Sequence, residues 1–136
     1  MIRPILLDTC ALIWMADGAL ASGAESALQE AQAHGVPIAV SPITAWEIGV
    51  LVAKGRLALT TPPLIWFNTT LEMGLELAEL SPDVLVGSSF LPGPALRDPA
   101  DRIIAATARM FGYRLMTRDR PLLEFAESGQ AAAIPC

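Results

Sequence analysis

Short apolar runs alternate with longer helical patterns along this chain. "PILLD" (4–8) has the composition of a buried strand and closes in aspartate. "TCALIWMADG" then reads as a helix ending at Gly18, and "SGAESALQEAQAHG" (22–35) as a helix with Ser22 as its cap and Gly35 as its stop. "VPIAVS" (36–41) is a second buried strand. "SPITAWEIGVLVAKG" (41–55) starts with Ser41 as a cap and Pro42 in the first turn, and stops at Gly55. A helix near 63–74, a short strand "LELAEL" and a helix within "SPDVLVGSSF" follow. "LPGPALRDP" is a loop rich in proline and glycine. "RDPADRIIAATA" (97–108) opens another helix, "YRLMT" (113–117) is a strand, "RPLLEFAE" is a short helical piece, and "AAAIP" is a last edge strand. This order predicts one α/β domain over residues 1–136, with a mainly parallel central sheet.

Composition adds a constraint on the surface. Of 136 residues, 53% are hydrophobic and only 17% charged, with a mean hydropathy of +0.48. No apolar run is long enough and free enough of charge and proline to suggest a membrane span, and "MIRPILLD" is too short for a secretory signal. The expectation is a cytoplasmic protein with an apolar face covered by a partner or a second copy. Cys10 and Cys136 have no metal or redox spacing and fit a reducing compartment, with Cys10 packed and Cys136 frayed at the terminus. The single histidine, His34, stands beside Gly35 at a helix end and reads as a surface residue. Histidine-based zinc sites and Ser-His-Asp or Cys-His catalysis are therefore poorly supported. Trp14, Trp46, Trp66 and Phe67 are core candidates first and partner contacts second.

Charge is unevenly placed. The net charge of −5 argues against broad electrostatic binding of nucleic acid. Yet six of the nine basic residues lie between Arg97 and Arg120, around Asp98, Asp101 and Asp119. A locally basic rim around a few carboxylates suits a metal-dependent site for a polyanion; for any single arginine, a solvated helix face explains it equally well.

The acids themselves carry the chemistry. Asp98 before Pro99 is a cap, and that role suffices for it. Asp101 can bond back as in a capping box, but Ile104, Ala105, Ala108 and Phe111 continue its stripe at helical spacing, which puts it where a buried face meets the helix mouth. Glu47 stands in line with Ile43, Val50 and Leu51, and Lys54, the only lysine, lies two turns away. A buried carboxylate must be paired, protonated or metal-bound; an arginine from elsewhere in the fold is the plain structural alternative. Asp8 ends the first strand and Asp119 follows the strand "RLMT" by two residues. In an open parallel sheet, ligands bind in the crevice beyond the carboxyl ends of the strands. Each aspartate alone is more often a turn or cap residue. If Asp8, Glu47, Asp101 and Asp119 meet, their repulsion calls for a hard divalent cation such as Mg2+ or Mn2+, which suits phosphoryl chemistry. Thr9 and Thr117 flank the cluster and can hold carboxylates or water, or serve simply as strand and cap residues.

With these residues assembled, the chain resembles a PIN-domain ribonuclease, and more closely the VapC-type toxins of prokaryotic toxin–antitoxin pairs. "LLDTCALIW", "SPITAWEIGVLVAKGRL", "RDPADRIIAATAR" and "LMTRD" carry the resemblance, in the family's order and at similar spacing over nearly the full chain. It implies a three-layer fold and a Mg2+- or Mn2+-dependent endoribonuclease that leaves a 5′-phosphate and a 3′-hydroxyl. It further implies a homodimer neutralised by a cognate antitoxin. Carried over, the catalytic, metal-holding acids fall on Asp8, Glu47, Asp101 and Asp119, with Asp98 supporting them and Thr117 matching a small hydroxyl residue before the last acid. Arg97, Arg102, Arg118 and Arg120 become candidates to position RNA phosphates. One departure is Leu96, where related sequences often carry histidine before the "RDP" run.

Three other readings stay open at this point. A phosphoacceptor signalling switch needs a lysine after a late strand, and Lys54 is early and helical. A haloacid-dehalogenase-like phosphotransferase wants a second acid two residues after the first, where Cys10 stands. A catalytically inactive PIN scaffold that only binds RNA or a partner would keep the fold without the reaction.

Overall fold

The computed structural model describes residues 2–136. A sheet of five strands, all parallel, runs in the order β3-β2-β1-β4-β5. The strands are β1 (Ile5–Leu7), β2 (Ile38–Val40), β3 (Glu76–Leu77), β4 (Arg114–Thr117) and β5 (Ala132–Pro135). Between them lie α1 (Thr9–Ala16), α2 (Ser22–Ala33), α3 (Pro42–Ala53), α4 (Pro63–Leu71), α5 (Pro82–Gly87), α6 (Pro99–Phe111) and α7 (Arg120–Phe125), and a π-helical turn over Ala126–Gln130 leads into β5.

Buried strands explain the apolar runs. β1 pairs with β2 on one side (Leu6 opposite Ala39) and with β4 on the other (Leu6 opposite Leu115), and its three residues are fully buried. Alternate side chains go to opposite faces. Ile5 and Leu7 join Ala11, Leu12, Leu28, Phe67 and Met116 in one layer, whereas Leu6 joins Ile104, Ala105, Ala108, Leu122 and Phe125 in the other. This is a helix–sheet–helix stack, and the parallel sheet must be covered on both faces because its central strands carry apolar side chains on both.

The chain path also sets where a ligand can go. From β1 it moves to β2 and β3, then returns across β1 to β4 and β5. The direction reverses between β1 and β4, and there the strand ends part to leave a crevice. α6 enters the core beside it. Asp98 caps α6 through hydrogen bonds from the Ala100 and Asp101 amides (2.8 and 3.1 Å), and Gly112 ends it at φ +71°.

Several local expectations shift. Ser22 is the first residue of α2 rather than its cap; Ala21 holds the cap position and offers no side-chain bond. The strand expected over "LELAEL" shrinks to two exposed residues, since it is a sheet edge with Glu76 and Leu77 facing solvent. Phe111 leaves the buried stripe of α6 and is 40% exposed, because it is the helix's last residue, beside the Gly112 that ends it. The two cysteines reverse roles. Cys10 is exposed on the first turn of α1, while Cys136 is buried and tied by its amide to the Thr117 carbonyl (3.1 Å). Of the aromatic candidates, Phe67 is core, Trp14 and Trp66 pack partly against it, and Trp46 is 59% exposed.

The packing gives a stability test. Ile104→Ala, at a fully buried position, should cost about 2–5 kcal/mol. Asp98→Ala, which removes a cap, should cost about 1 kcal/mol. Urea unfolding checks both, and a capping loss as large as the cavity loss would contradict this account of α6.

Candidate active site

Asp8 stands at the end of β1 and also caps α1. Its Oδ1 accepts the Ala11 amide at 2.8 Å and its Oδ2 accepts the Thr117 hydroxyl at 2.5 Å. The Asp8 amide in turn bonds the Met116 carbonyl (3.1 Å), so the carboxylate sits at the β1–β4 switch point. Thr117, fully buried, also accepts the Asp119 amide at 3.0 Å. One hydroxyl thus ties two aspartates from opposite ends of the sequence. Asp119 caps α7 through the Leu122 amide (3.2 Å).

Glu47 arrives from α3. Its Oε1 accepts a short hydrogen bond from the Thr9 hydroxyl, and that hydroxyl shares a second bond with Thr44 at 3.1 Å. Thr44 lies three residues before Glu47, one helical turn away on the same face. The sequence pattern of α3 carried this hint, but a threonine among apolar residues did not stand out. Asp101, in the first turn of α6, completes the set.

Electrostatics show that these carboxylates share one space. Burial pushes the Asp101 carboxyl up to about 8, and the charges of Asp98, Asp119, Glu47 and Asp8 push the same way. Burial likewise raises Glu47, with Asp98, Asp8 and Asp119 adding to it against the Thr9 hydrogen bond. Asp8 is raised by burial too, although Thr117, the Ala11 amide and Arg118 oppose this. The side-chain partner of Glu47 among the described residues is the Thr9 hydroxyl and not an arginine, the plain structural alternative for this residue. Cys10, unsuspected from the sequence, lies near enough that burial and four carboxylates push its thiol up to about 11.

As the side chains stand, no group of three or more His, Cys, Asp or Glu residues among those described is drawn together tightly enough to hold a metal ion. The donor chemistry nevertheless fits a hard divalent cation, since the acids that act on one another here are carboxylates flanked by the Thr9 and Thr117 hydroxyls.

Two clefts meet at the acids. The larger, about 400 Å³, is lined by the 94–98 loop with Asp101, Asp119, Pro121 and Glu124; the smaller, about 170 Å³, by Trp46, Glu47, Val50, Leu51, Asp98 and Pro99. Arg97 lines the larger one, and Arg120 is exposed at the start of α7. Arg118 lies over the Trp14 ring. Arg102 is turned to a different use: its Nε bonds the Leu96 carbonyl and it lines a separate cleft with Ser88 and Ser89. Leu96 is itself a core residue, 4% exposed, so this position anchors the loop instead of facing a ligand.

Residues 5–128 match the family model of the PIN domain. The chain belongs to the PIN-domain family. It is 35% identical over 119 residues to Ribonuclease VapC22 of Mycobacterium tuberculosis (strain ATCC 25618 / H37Rv), covering 87% of this chain and 88% of that one. Among solved structures, this PIN domain superimposes on a chain of VapBC2 from Rickettsia felis bound to a DNA fragment from their promoter. The TM-score is 0.66, with 17% identity and 98% of each chain covered. FitAcB from Neisseria gonorrhoeae gives a TM-score of 0.53 at 22% identity, covering 96% of each. At such identities these structures speak for the fold alone.

The raised carboxyl of Asp101 makes a pH prediction for the metal-free protein. Between the ordinary aspartate value of 3.8 and about 8, the folded state holds a proton that the unfolded state has released. Stability therefore falls as pH rises through that window. Asp101→Asn should flatten the fall, as read by melting temperature in EDTA from pH 4 to 8; an unchanged slope would remove Asp101 from the anionic pocket.

Proposed function

We propose that this PIN domain is a Mg2+-dependent endoribonuclease toxin, with Mn2+ able to substitute, restrained in the cytoplasm by a cognate antitoxin and acting as a homodimer. What supports the reading is that Asp8 and Asp119 are joined through Thr117 at the sheet's switch point, while burial and the neighbouring acids raise Asp8, Glu47 and Asp101. The 35% identity to a ribonuclease over most of both chains supports the reaction class.

Asp8, Glu47, Asp101 and Asp119 would hold the ion. Bound there, it would supply polarisation of a phosphate oxygen and a water of lowered pKa. The protein's own contribution is preorganisation. Thr117 holds Asp8 and Asp119 at a fixed separation, and Thr9 and Thr44 hold Glu47 against α1. Protonation of Asp101 at neutral pH lowers the charge of the pocket, and loss of that proton would make its carboxylate a donor to a cation. Arg97 and Arg120 stand at the rim, where cations meet RNA phosphates, and Arg102 keeps the loop carrying Arg97 in place.

The expected partners suit the exposed apolar side chains, which fall mainly on two contacting helix pairs. Trp46, Leu64 and Ile65 lie on α3 and α4; Leu85, Val86 and Met110 lie on α5 and α6, with Phe90 just beyond α5. Two such surfaces on one small chain fit two occupants, the antitoxin and a second copy.

Partner-free protein should cut single-stranded RNA with Mg2+ or Mn2+ and not with EDTA. Asp8→Asn and Asp101→Asn should each lose about 100-fold or more in kcat, and Thr117→Val about 10- to 100-fold. In a thermal melt, Mn2+ should raise the wild-type melting temperature and raise that of Glu47→Gln less. Cleavage that survives both aspartate changes would reject the assignment in favour of an inactive scaffold.

A further inference from the structure

The turn that delivers Thr117 and Asp119 also delivers Arg118 between them. The Arg118 guanidinium carbon lies 3.2 Å from the centroid of the Trp14 ring, on the helix that Asp8 caps. Burial raises the Cys136 thiol beside the end of β4, and the nearby Arg118 opposes that rise. Trp14 is partly buried against the core cluster and so offers a fixed ring face. Arg118 is exposed, as are Arg97 and Arg120, but its guanidinium stacks on a partly buried ring. Its charge reaches the pocket, where it counters the upward push on Asp8.

We propose that Trp14 is a positioning residue that holds Arg118 as a fixed cation beside Asp8, where it opposes a divalent cation and attracts an RNA phosphate. The two effects have opposite sign for one physical reason. A positive charge at a set place raises the energy of a second cation nearby and lowers that of an anion. A guanidinium over an aromatic face keeps that place without the entropy cost of ordering a free side chain. The phosphate half rests on the nuclease reading; the metal half does not.

The test uses Arg118→Met, Trp14→Leu and Trp14→Phe. Mn2+ affinity is measured by electron paramagnetic resonance without RNA. RNA affinity is measured in EDTA by the fluorescence anisotropy of a labelled single-stranded oligonucleotide. Arg118→Met should bind Mn2+ about threefold more tightly and RNA about fivefold more weakly. Trp14→Leu should shift both in the same directions, and Trp14→Phe, which keeps a ring, should restore values near wild type. In steady-state cleavage the loss should fall on KM more than on kcat. Weakening of both ligands by Trp14→Leu, or a Trp14→Leu protein that behaves as wild type while Arg118→Met does not, would overturn the positioning role. Because Arg118 is exposed, its variant reports even where Trp14→Leu perturbs the core. If wild type neither binds nor cuts RNA, the nuclease reading fails, and the Mn2+ shifts alone decide the place of Trp14.

Discussion

The gathering of acidic side chains at one end of the sheet governs this molecule. Four carboxylates from β1, α3, α6 and the β4–α7 turn share the carboxyl edge of one parallel sheet, and burial adds to their mutual repulsion. Left free, such side chains would swing apart into water. Three of them are tied from behind: Asp8 by Thr117 and the Ala11 amide, Glu47 by Thr9, Asp119 by the Leu122 amide. The rest of the fold supplies the anchors for those ties.

That division of labour explains the sheet. Its centre is apolar on both faces, so β1 and β4 are rigid, and the direction of the chain reverses between them. The crevice opens at the reversal, and helix starts point into it. Capping is then a second use of the same acids. Asp8 and Asp119 satisfy helix amides with one oxygen, Asp8 takes the Thr117 hydroxyl with the other, and Asp98 caps the helix that presents Asp101. Acids gather at helix mouths because the mouths supply donors that make a charged pocket tolerable.

Much of this was legible in the residues. The short apolar runs became the buried strands, and Ser41, Pro42, Gly55 and Asp98 mark helix limits by local chemistry that acts within a few residues. The convergence of the acids was legible too, because acids in line with apolar stripes are costly unless they share a purpose. What stayed hidden depends on distant contacts. Cys10 and Cys136 exchanged their expected burial because α1 turns its first-turn face to the pocket, while the chain end follows the sheet. The Thr9–Thr44 bond, the Arg118–Trp14 stack and the Arg102–Leu96 bond join residues whose pairing no local pattern announces. Edge strands were the least legible, since β3 has only two exposed residues and depends on β2 for its register.

The central claim is that burial and the neighbouring acids keep a proton on Asp101 that a bound divalent cation would displace. Titration calorimetry of Mn2+ into the metal-free protein at pH 7, in two buffers of different ionisation enthalpy, counts the protons released per ion bound. The account predicts about one proton from wild type and much less from Asp101→Asn. Binding with no proton release, or a release that Asp101→Asn leaves unchanged, would contradict it.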